Sequence, residues 1–203
     1  MRANPQTAGI GALLAIIGAL IIAGCGTSEP SRFYMLKAAG WESQTAAAAD
    51  TLRIGLHGFV FPEYLMRPNI VTLKGANRVE LAEYDRWAEG LDLNVMRVLS
   101  VNLTHLVPAA VVLRYPWRRE PGVQIEIAGE VLRFGREEDG QVHLVVEWSL
   151  QQEGSPRDDH HRFVFAQRPA VEGVEGTVKA MNDGLTALSQ EIAEEIIALQ
   201  AAG

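Results

Sequence analysis

The acid-rich stretch VELAEYDRWAEGLD at 79–92 holds the residue types that could most readily do acid–base chemistry. Two carboxyl groups whose pKa values are pushed apart can act as general acid and general base in a hydrolase. Such a shift needs burial or a charge partner, and the sequence indicates neither for Glu83, Asp85 or Glu89. A hydrolase that uses these three acids is therefore the alternative. The first interpretation is the solvated end of a strand that leads into a helix.

Arg86 and Trp87 lie in the middle of the same stretch. Arg86 is close enough in sequence to pair with Glu83 or Glu89. Trp87 precedes a helical pattern that begins at Leu91, so its ring is predicted to pack over the first turn, as a hydrophobic staple does. A structural role for Trp87 is favoured over an exposed binding anchor.

No other pattern in the chain predicts a catalytic, cofactor or metal site. The motifs GxSxG and HExxH, the phosphate loop, and GxGxxG after a strand do not occur. The segment DDHH at 158–161 has metal-binding residue types. Neighbouring histidines on a strand point to opposite faces, however, so His160 and His161 are poorly placed to share one ion. The segment is interpreted as a solvated turn, and we predict no catalytic residue, no metal and no cofactor.

The N-terminus has the pattern of a secretory signal. Arg2 precedes an apolar run at 8–24 that is short for a membrane span. The run ends in IAGC at 22–25, the aliphatic–small–small–cysteine order typical of bacterial lipoprotein cleavage sites. Cleavage there would leave Cys25, the only cysteine of the chain, to carry the lipid. Several acyl chains together anchor a protein stably to a bilayer.

These signals divide the chain into a lipoprotein signal peptide (1–24), the lipidated cysteine with a short tether (25–32) and a periplasmic domain (33–203). The tether keeps the domain close to the bilayer, because six extended residues span only about 20 Å. Arg2 is the one charged residue of the signal peptide, so the mature chain is one unit more acidic than the net charge of −7 of the whole chain. This balance argues against a nucleic-acid partner.

Hydrophobic periodicity predicts an α+β fold for the domain. Two amphipathic helices are expected, one over 91–106 and one over 178–199, with Asp92 and Thr177 as N-caps. The expected architecture is a single domain with one mostly antiparallel β-sheet and the two main helices packed on one face. Alternation predicts a hairpin at 69–84 and strands at 32–37, 52–62, 109–116, 122–134, 142–151 and 161–168.

Three blocks of the domain resemble the PqiC family, the ABC-type transport auxiliary lipoproteins linked to MCE-type intermembrane transport. The blocks are SRFYML shortly after the lipobox cysteine, YLMRPNIV at 64–71 and RWAEGL at 86–91. The likeness continues through VVEWSLQ and the final helix, so it covers nearly all of the mature chain. Gly90 stands where the family pattern has a proline, which changes no chemistry.

The resemblance implies a non-enzymatic lipoprotein that faces the periplasm from the outer membrane. It would dock a periplasm-spanning MCE protein that works with ABC and permease components, and a homo-oligomer would match a ringed partner. Gly26 after the cysteine agrees with the outer membrane, because Gram-negative lipoproteins retained in the inner membrane commonly have Asp there.

The predicted partner-binding residues are Tyr64, Arg67, Ile70, Arg86 and Trp87. Arg67 would supply charge, and Tyr64 and Ile70 would supply apolar area, while a place in the sheet core weighs equally for Ile70. Beside the lipoprotein hydrolase, a structural lipoprotein that itself binds a lipid between helix and sheet is the other alternative.

Overall fold

The computed structural model of the chain describes residues 29–39, 52–116, 122–155 and 158–202. Ser31–Gly203 form one compact unit. The predicted signal peptide and Cys25 lie outside the described residues, so the division into signal, tether and domain stays a prediction.

The described residues form strands and two long helices, with four strands before each helix, and the α+β prediction is confirmed. A short 3-10 helix, Glu63–Leu65, precedes the third strand. In chain order the elements are β1 (Arg32–Tyr34), β2 (Leu52–Leu56), β3 (Asn69–Lys74), β4 (Arg78–Trp87), α1 (Leu91–Leu106), β5 (Ala110–Arg114), β6 (Ile125–Arg136), β7 (Val142–Gln152), β8 (Asp158–Gln167) and α2 (Val174–Ala202).

The last three strands form the predicted antiparallel meander. β6 pairs with β7, and β7 pairs with β8, over nearly their full lengths. The α2 helix packs on this sheet, where Gly184 allows the Phe165 ring to lie 3.0 Å from the position that a Cβ would occupy. Alternate β7 side chains are at most 4% exposed and form the strand's share of the core: Val142, Leu144, Val146, Trp148 and Leu150.

The other part of the sheet contains parallel pairs that the sequence pattern does not predict. The strand order is β1-β4-β3-β6-β2-β5, and β7 and β8 continue from β6. β1 runs parallel to β4, and β2 runs parallel to both β5 and β6. β6 is long enough for β2 to pair near its start and for Thr72 of β3 to pair with Arg136 at its end. The sheet is therefore mixed, and the mostly antiparallel prediction holds for its longest ladders.

Both helices cover the predicted apolar stripes but begin without the predicted caps. α1 begins after Gly90, and no side chain caps it, so the prediction of Asp92 as N-cap is wrong. Thr177 lies inside the first turn of α2, where its Oγ1 donates to the Gly173 carbonyl (3.0 Å). The prediction for Thr177 is wrong because α2 begins before the first residue of its apolar stripe.

The segment that follows β1 is fastened to α1 by a buried amide. The Leu36 N–H donates to Asn94 Oδ1 (2.6 Å), and Asn94 Nδ2 donates to the Leu36 carbonyl (3.1 Å). Leu36 is 0% and Asn94 1% exposed, so water has no access to replace these bonds. The Ala39 N–H donates in the same way to Asn102 Oδ1 (2.9 Å). α1 thus supplies hydrogen bonds that a neighbouring strand would otherwise give.

We predict that Asn94→Leu lowers the free energy of unfolding by about 2–5 kcal/mol. The substitution keeps the side-chain size but leaves the Leu36 N–H and carbonyl buried without partners, at roughly 1–3 kcal/mol each. Urea unfolding followed by circular dichroism measures the loss. Asn182→Leu is the control, because its Oδ1 accepts from the exposed Lys37 N–H (2.9 Å), which water can satisfy. Equal losses in the two variants would contradict the prediction.

Candidate functional site

The three sequence blocks that carry the family resemblance meet at one corner of the sheet. β4 ends in the Arg86-Trp87 pair and lies between β1 and β3. The Trp87 N–H donates to the Pro68 carbonyl (2.7 Å), and the Ala88 N–H donates to the Tyr34 carbonyl (2.8 Å). We call this region, residues 32–37, 64–70 and 85–88, the β4 corner.

An irregular bulge in the β3–β4 ladder lets β4 pair with both of its neighbouring strands. Arg86 is opposite Asn69, but the next partners are Val71 and Leu81, so five steps along β4 match two along β3. Asn69 Nδ2 donates to the Ala82 carbonyl within the bulge (2.6 Å). Such a bulge bends a strand and re-aims its side chains. The prediction that the strand runs out at its acids is wrong, because beyond the bulge β4 pairs with β1.

Asp85 forms the principal ion pair of the corner. Its carboxylate accepts two bonds from Arg32, from Nε at 2.6 Å and from Nη2 at 3.0 Å. The bonds from Arg32 lower the pKa of Asp85, burial opposes this, and a hydrogen bond from Tyr34 lowers it further. Burial and the neighbouring Asp85 raise the pKa of the Tyr34 phenol. Asp85 is therefore ionised, and Tyr34 is protonated, at neutral pH.

The partner of Asp85 could not be found by local sequence reasoning. Arg86 was the predicted partner for the nearby acids, whereas Arg32 lies 53 residues from Asp85. The two side chains meet because Arg32 and Asp85 are directly paired in the parallel β1–β4 ladder.

The other acids of the stretch do not form an acid–base pair with Asp85 either. Glu89 Oε1 accepts from Arg97 Nη2 of α1 at 2.5 Å, and Glu83 is exposed on β4. A carboxylate whose pKa is lowered is a poor proton donor at neutral pH. Within the described ranges, no cluster of three or more His, Cys, Asp or Glu could hold a metal ion. The stretch is a structural corner in which Asp85 and Glu89 pair with Arg32 and Arg97.

The two histidines of the DDHH segment lie on β8 and face different ways. His161 is opposite Trp148, and the two rings stack with centroids 4.2 Å apart. His160 is opposite Ser149 and is exposed. The segment belongs to a strand rather than to the predicted turn, because it pairs with the end of β7. His161 packs as part of the sheet.

The five predicted partner-binding residues lie at different depths in the β4 corner. Ile70 is 3% and Trp87 6% exposed, and both belong to the hydrophobic core. Tyr64 is half-buried against that core, and burial raises the pKa of its phenol. Arg67 and Arg86 are exposed, and neither forms an ion pair within the part of the chain that is described. Tyr64, Arg67 and Arg86 therefore have surface that a partner could reach.

Among the residues described, neither helix combines the length and the apolar composition needed to cross a bilayer.

Comparison with known sequences places these features in a family. The sequence model of a family described as "ABC-type transport auxiliary lipoprotein component" matches residues 34–193. The chain is 26% identical over 184 residues to the "Intermembrane transport lipoprotein PqiC" of Escherichia coli K12, and the match covers 90% of this chain and 96% of that protein. The protein of the same name from Shigella flexneri matches equally.

Solved structures share the fold. A crystal structure of an uncharacterized protein has a TM-score of 0.70 at 23% identity and covers 83% of this chain and 99% of its own. A protein from Xanthomonas campestris has a TM-score of 0.66 at 12% identity and covers 85% of this chain and 99% of its own. At these identities the likeness concerns the fold alone.

We predict that Asp85→Asn lowers the free energy of unfolding by about 1–2 kcal/mol at neutral pH, because a buried charge-assisted bond to a half-exposed arginine is lost. The pKa of Asp85 is lowered from its ordinary value of 3.8, so its contribution is complete above that value and is lost as pH falls through the folded-state pKa. The difference between wild type and variant should therefore shrink below about pH 4 in urea titrations.

Glu147→Gln is the matched control for this pH dependence. The Arg162–Glu147 pair is exposed on both sides, 59% and 52%, and we expect it to contribute less than about 1 kcal/mol. A difference for Asp85→Asn that stays constant into strong acid would rule out the ion pair as its cause.

Proposed function

The chain belongs to the family of ABC-type transport auxiliary lipoprotein components, and from that premise we propose that it is a non-enzymatic accessory component of an MCE/ABC-type intermembrane lipid transport system. It is anchored by Cys25 in the outer membrane, faces the periplasm and docks a periplasm-spanning MCE protein there. Homo-oligomerisation would match the lipoprotein to a ringed partner.

The convergence of the family blocks on the β4 corner carries this proposal. Residues from β1, the segment before β3 and the end of β4 are separated in sequence but share hydrogen bonds at this corner. A corner that is held by hydrogen bonds at its base and presents two arginines with no ion pair among the described residues is suited to recognition. Asp85 and Glu89 pair with Arg32 and Arg97, which supports a structural rather than a catalytic use of these two acids.

Arg67, Arg86 and Tyr64 are the proposed contact residues. A guanidinium group binds carboxylates through two parallel N–H donors, so an acidic surface of the MCE protein is the expected complement. Tyr64 adds a half-buried ring whose position is set by packing, which limits the entropy that binding costs. Ile70 and Trp87 support these residues from within the core.

A lipid-binding structural lipoprotein is the second candidate function. A groove of about 290 Å³ lies between the first turns of α1 and the ends of β2 and β5, with Phe59, Leu93, Met96 and Tyr115 among its lining. The groove has the helix–sheet position that such a function requires. Native mass spectrometry of the protein from a mild detergent would detect a retained lipid, and Leu93→Asp should then release it.

We predict that Cys25→Ala abolishes acylation and releases the protein from the membrane fraction. The thiol is the only one in the chain, so no other cysteine can accept the lipid. Metabolic labelling with an alkyne fatty acid, followed by membrane fractionation, measures both effects. Gly26→Asp is the companion variant: it keeps the acylated cysteine and should move the protein to the inner-membrane fraction. Unchanged labelling of Cys25→Ala would disprove the anchor.

We predict that Arg67→Glu with Arg86→Glu weakens binding to the MCE protein by about tenfold or more, since loss of two charge-assisted contacts and like-charge repulsion together exceed 1.4 kcal/mol. Affinity capture of the tagged lipoprotein from detergent extract, with the MCE protein quantified by mass spectrometry, measures the change. Arg78→Glu is the control, because Arg78 is exposed at the other end of β4. Equal capture by all three proteins would exclude this contact surface, and absence of MCE and ABC components from the wild-type capture would reject the proposed function.

A further inference from the structure

The segment that enters the domain has an apolar outer face. From position 33 to position 37 the side chains alternate between solvent and core. Phe33 is 65% and Met35 42% exposed, whereas Leu36 is 0% exposed and Tyr34 packs against the core. The alternation is fixed by pairing with β4 and by the Asn94 bonds, so Phe33 and Met35 project on the same side.

Two cations flank this apolar pair. Lys37 continues the same outward row, and Arg86 is directly paired with Phe33 in the β1–β4 ladder. Directly paired residues of a parallel ladder point to the same face, so Arg86 and Phe33 share the outer face. Neither cation forms an ion pair within the described ranges. We call Phe33, Met35, Lys37 and Arg86 the entry strip.

The entry strip differs from the remainder of the chain in charge. The chain carries 25 acidic and 18 basic residues, yet the four residues of the strip are two apolar side chains and two cations. Aromatic and aliphatic side chains with nearby Lys or Arg are the composition of surfaces that lie in the headgroup region of a bilayer. Lys37 would face lipid phosphates while the apolar pair enters the acyl boundary.

The position of the entry strip also favours a lipid bilayer as the surface that it contacts. Arg32, at the start of β1, follows directly on the predicted tether, whose residues from Gly26 to Ser31 span at most about 20 Å when extended. A short tether gives the attached face a high effective concentration at the bilayer, so a contact too weak to bind alone becomes populated. A stable protein interface would need about 800 Å² per partner, more than two apolar side chains provide.

We propose that Phe33 and Met35 insert into the headgroup region of the membrane that holds Cys25, with Lys37 on lipid phosphates, while Arg86, at the edge of the strip toward β3, keeps its proposed contact with the partner. This inference rests on the proposed lipid anchor. It gives the domain a fixed orientation: β1 lies against the bilayer, and Arg67, on the far side of β4 from β1, stays available to the partner.

Site-directed spin labelling of the full, acylated protein in vesicles tests the orientation. Acylation blocks the only native thiol, so a cysteine introduced by Phe33→Cys or Met35→Cys takes the label alone. The control is Val164→Cys, whose parent side chain is 62% exposed on β8. The vesicles contain phosphatidylethanolamine and phosphatidylglycerol, and collision rates with oxygen and with a water-soluble nickel chelate report the depth of each label.

We expect the labels at 33 and 35 to collide several-fold less with the nickel chelate than the label at 164. Lys37→Glu should restore part of the chelate access at 35 when phosphatidylglycerol is present, because it replaces attraction to anionic lipid by repulsion. Equal access at 33, 35 and 164 in protein that floats with the vesicles would overturn the inference alone. Shielding that arises only after the MCE protein is added would overturn it in favour of a protein contact. Failure to acylate and float would instead reject the anchor, and this inference with it.

Discussion

The buried amide of Asn94 is the interaction on which the arrangement of the N-terminal part depends. Leu36 leaves the sheet at a point where no strand of the described chain satisfies its N–H and carbonyl, and Asn94 bonds to both. An unsatisfied pair in that dry position would cost several kcal/mol. This one side chain therefore makes it favourable for the segment after β1 to lie on α1, which in turn keeps β1 beside β4 and fixes which of its side chains face solvent.

The bulge in β4 allows this strand to pair with both of its neighbours at the same corner. One strand must pair antiparallel with β3, to which it is joined by a short turn, and parallel with β1, which comes from far away in sequence. The extra β4 residues opposite β3 change the direction of the strand between the part that pairs with β3 and the part that pairs with β1. Asp85 is thereby turned inward to meet Arg32, while Arg86 is left at the surface. Buried and exposed side chains alternate from Asp85 to Ala88 for this reason.

The accuracy of the sequence predictions follows the range of the interactions concerned. The meander and the two helices are encoded in local periodicity, so their positions and the α+β class are confirmed. The parallel pairs of β1 and β2 and the Arg32–Asp85 bond join residues far apart in sequence, and alternation carries no information about strand direction or distant partners. The N-cap predictions at Asp92 and Thr177 are wrong because α1 begins at Leu91, after Gly90, and α2 begins at Val174, so both residues lie inside the first turns. The alternation in RFYML could have identified Phe33 and Met35 as a common face.

The β4 corner would join the proposed lipid anchor to the proposed contact surface through one short stretch of structure. A force from the proposed lipid anchor would enter the domain at β1, where the Asp85–Arg32 pair and the Asn94 bonds resist displacement. Of the arginines of the proposed contact surface, Arg86 lies on β4, beside β1, and Arg67 lies in the bend before β3, next to Pro68, whose carbonyl accepts from the Trp87 N–H. Because these connections consist of strand pairing and buried polar bonds, with Arg67 joined to β4 through the Trp87–Pro68 bond, they would hold the proposed partner surface at a nearly constant distance from a bilayer. A tethered protein that must present one face to a membrane and another to a partner needs a constant distance between the two faces. A flexible corner would lower the high effective concentration that the short tether provides.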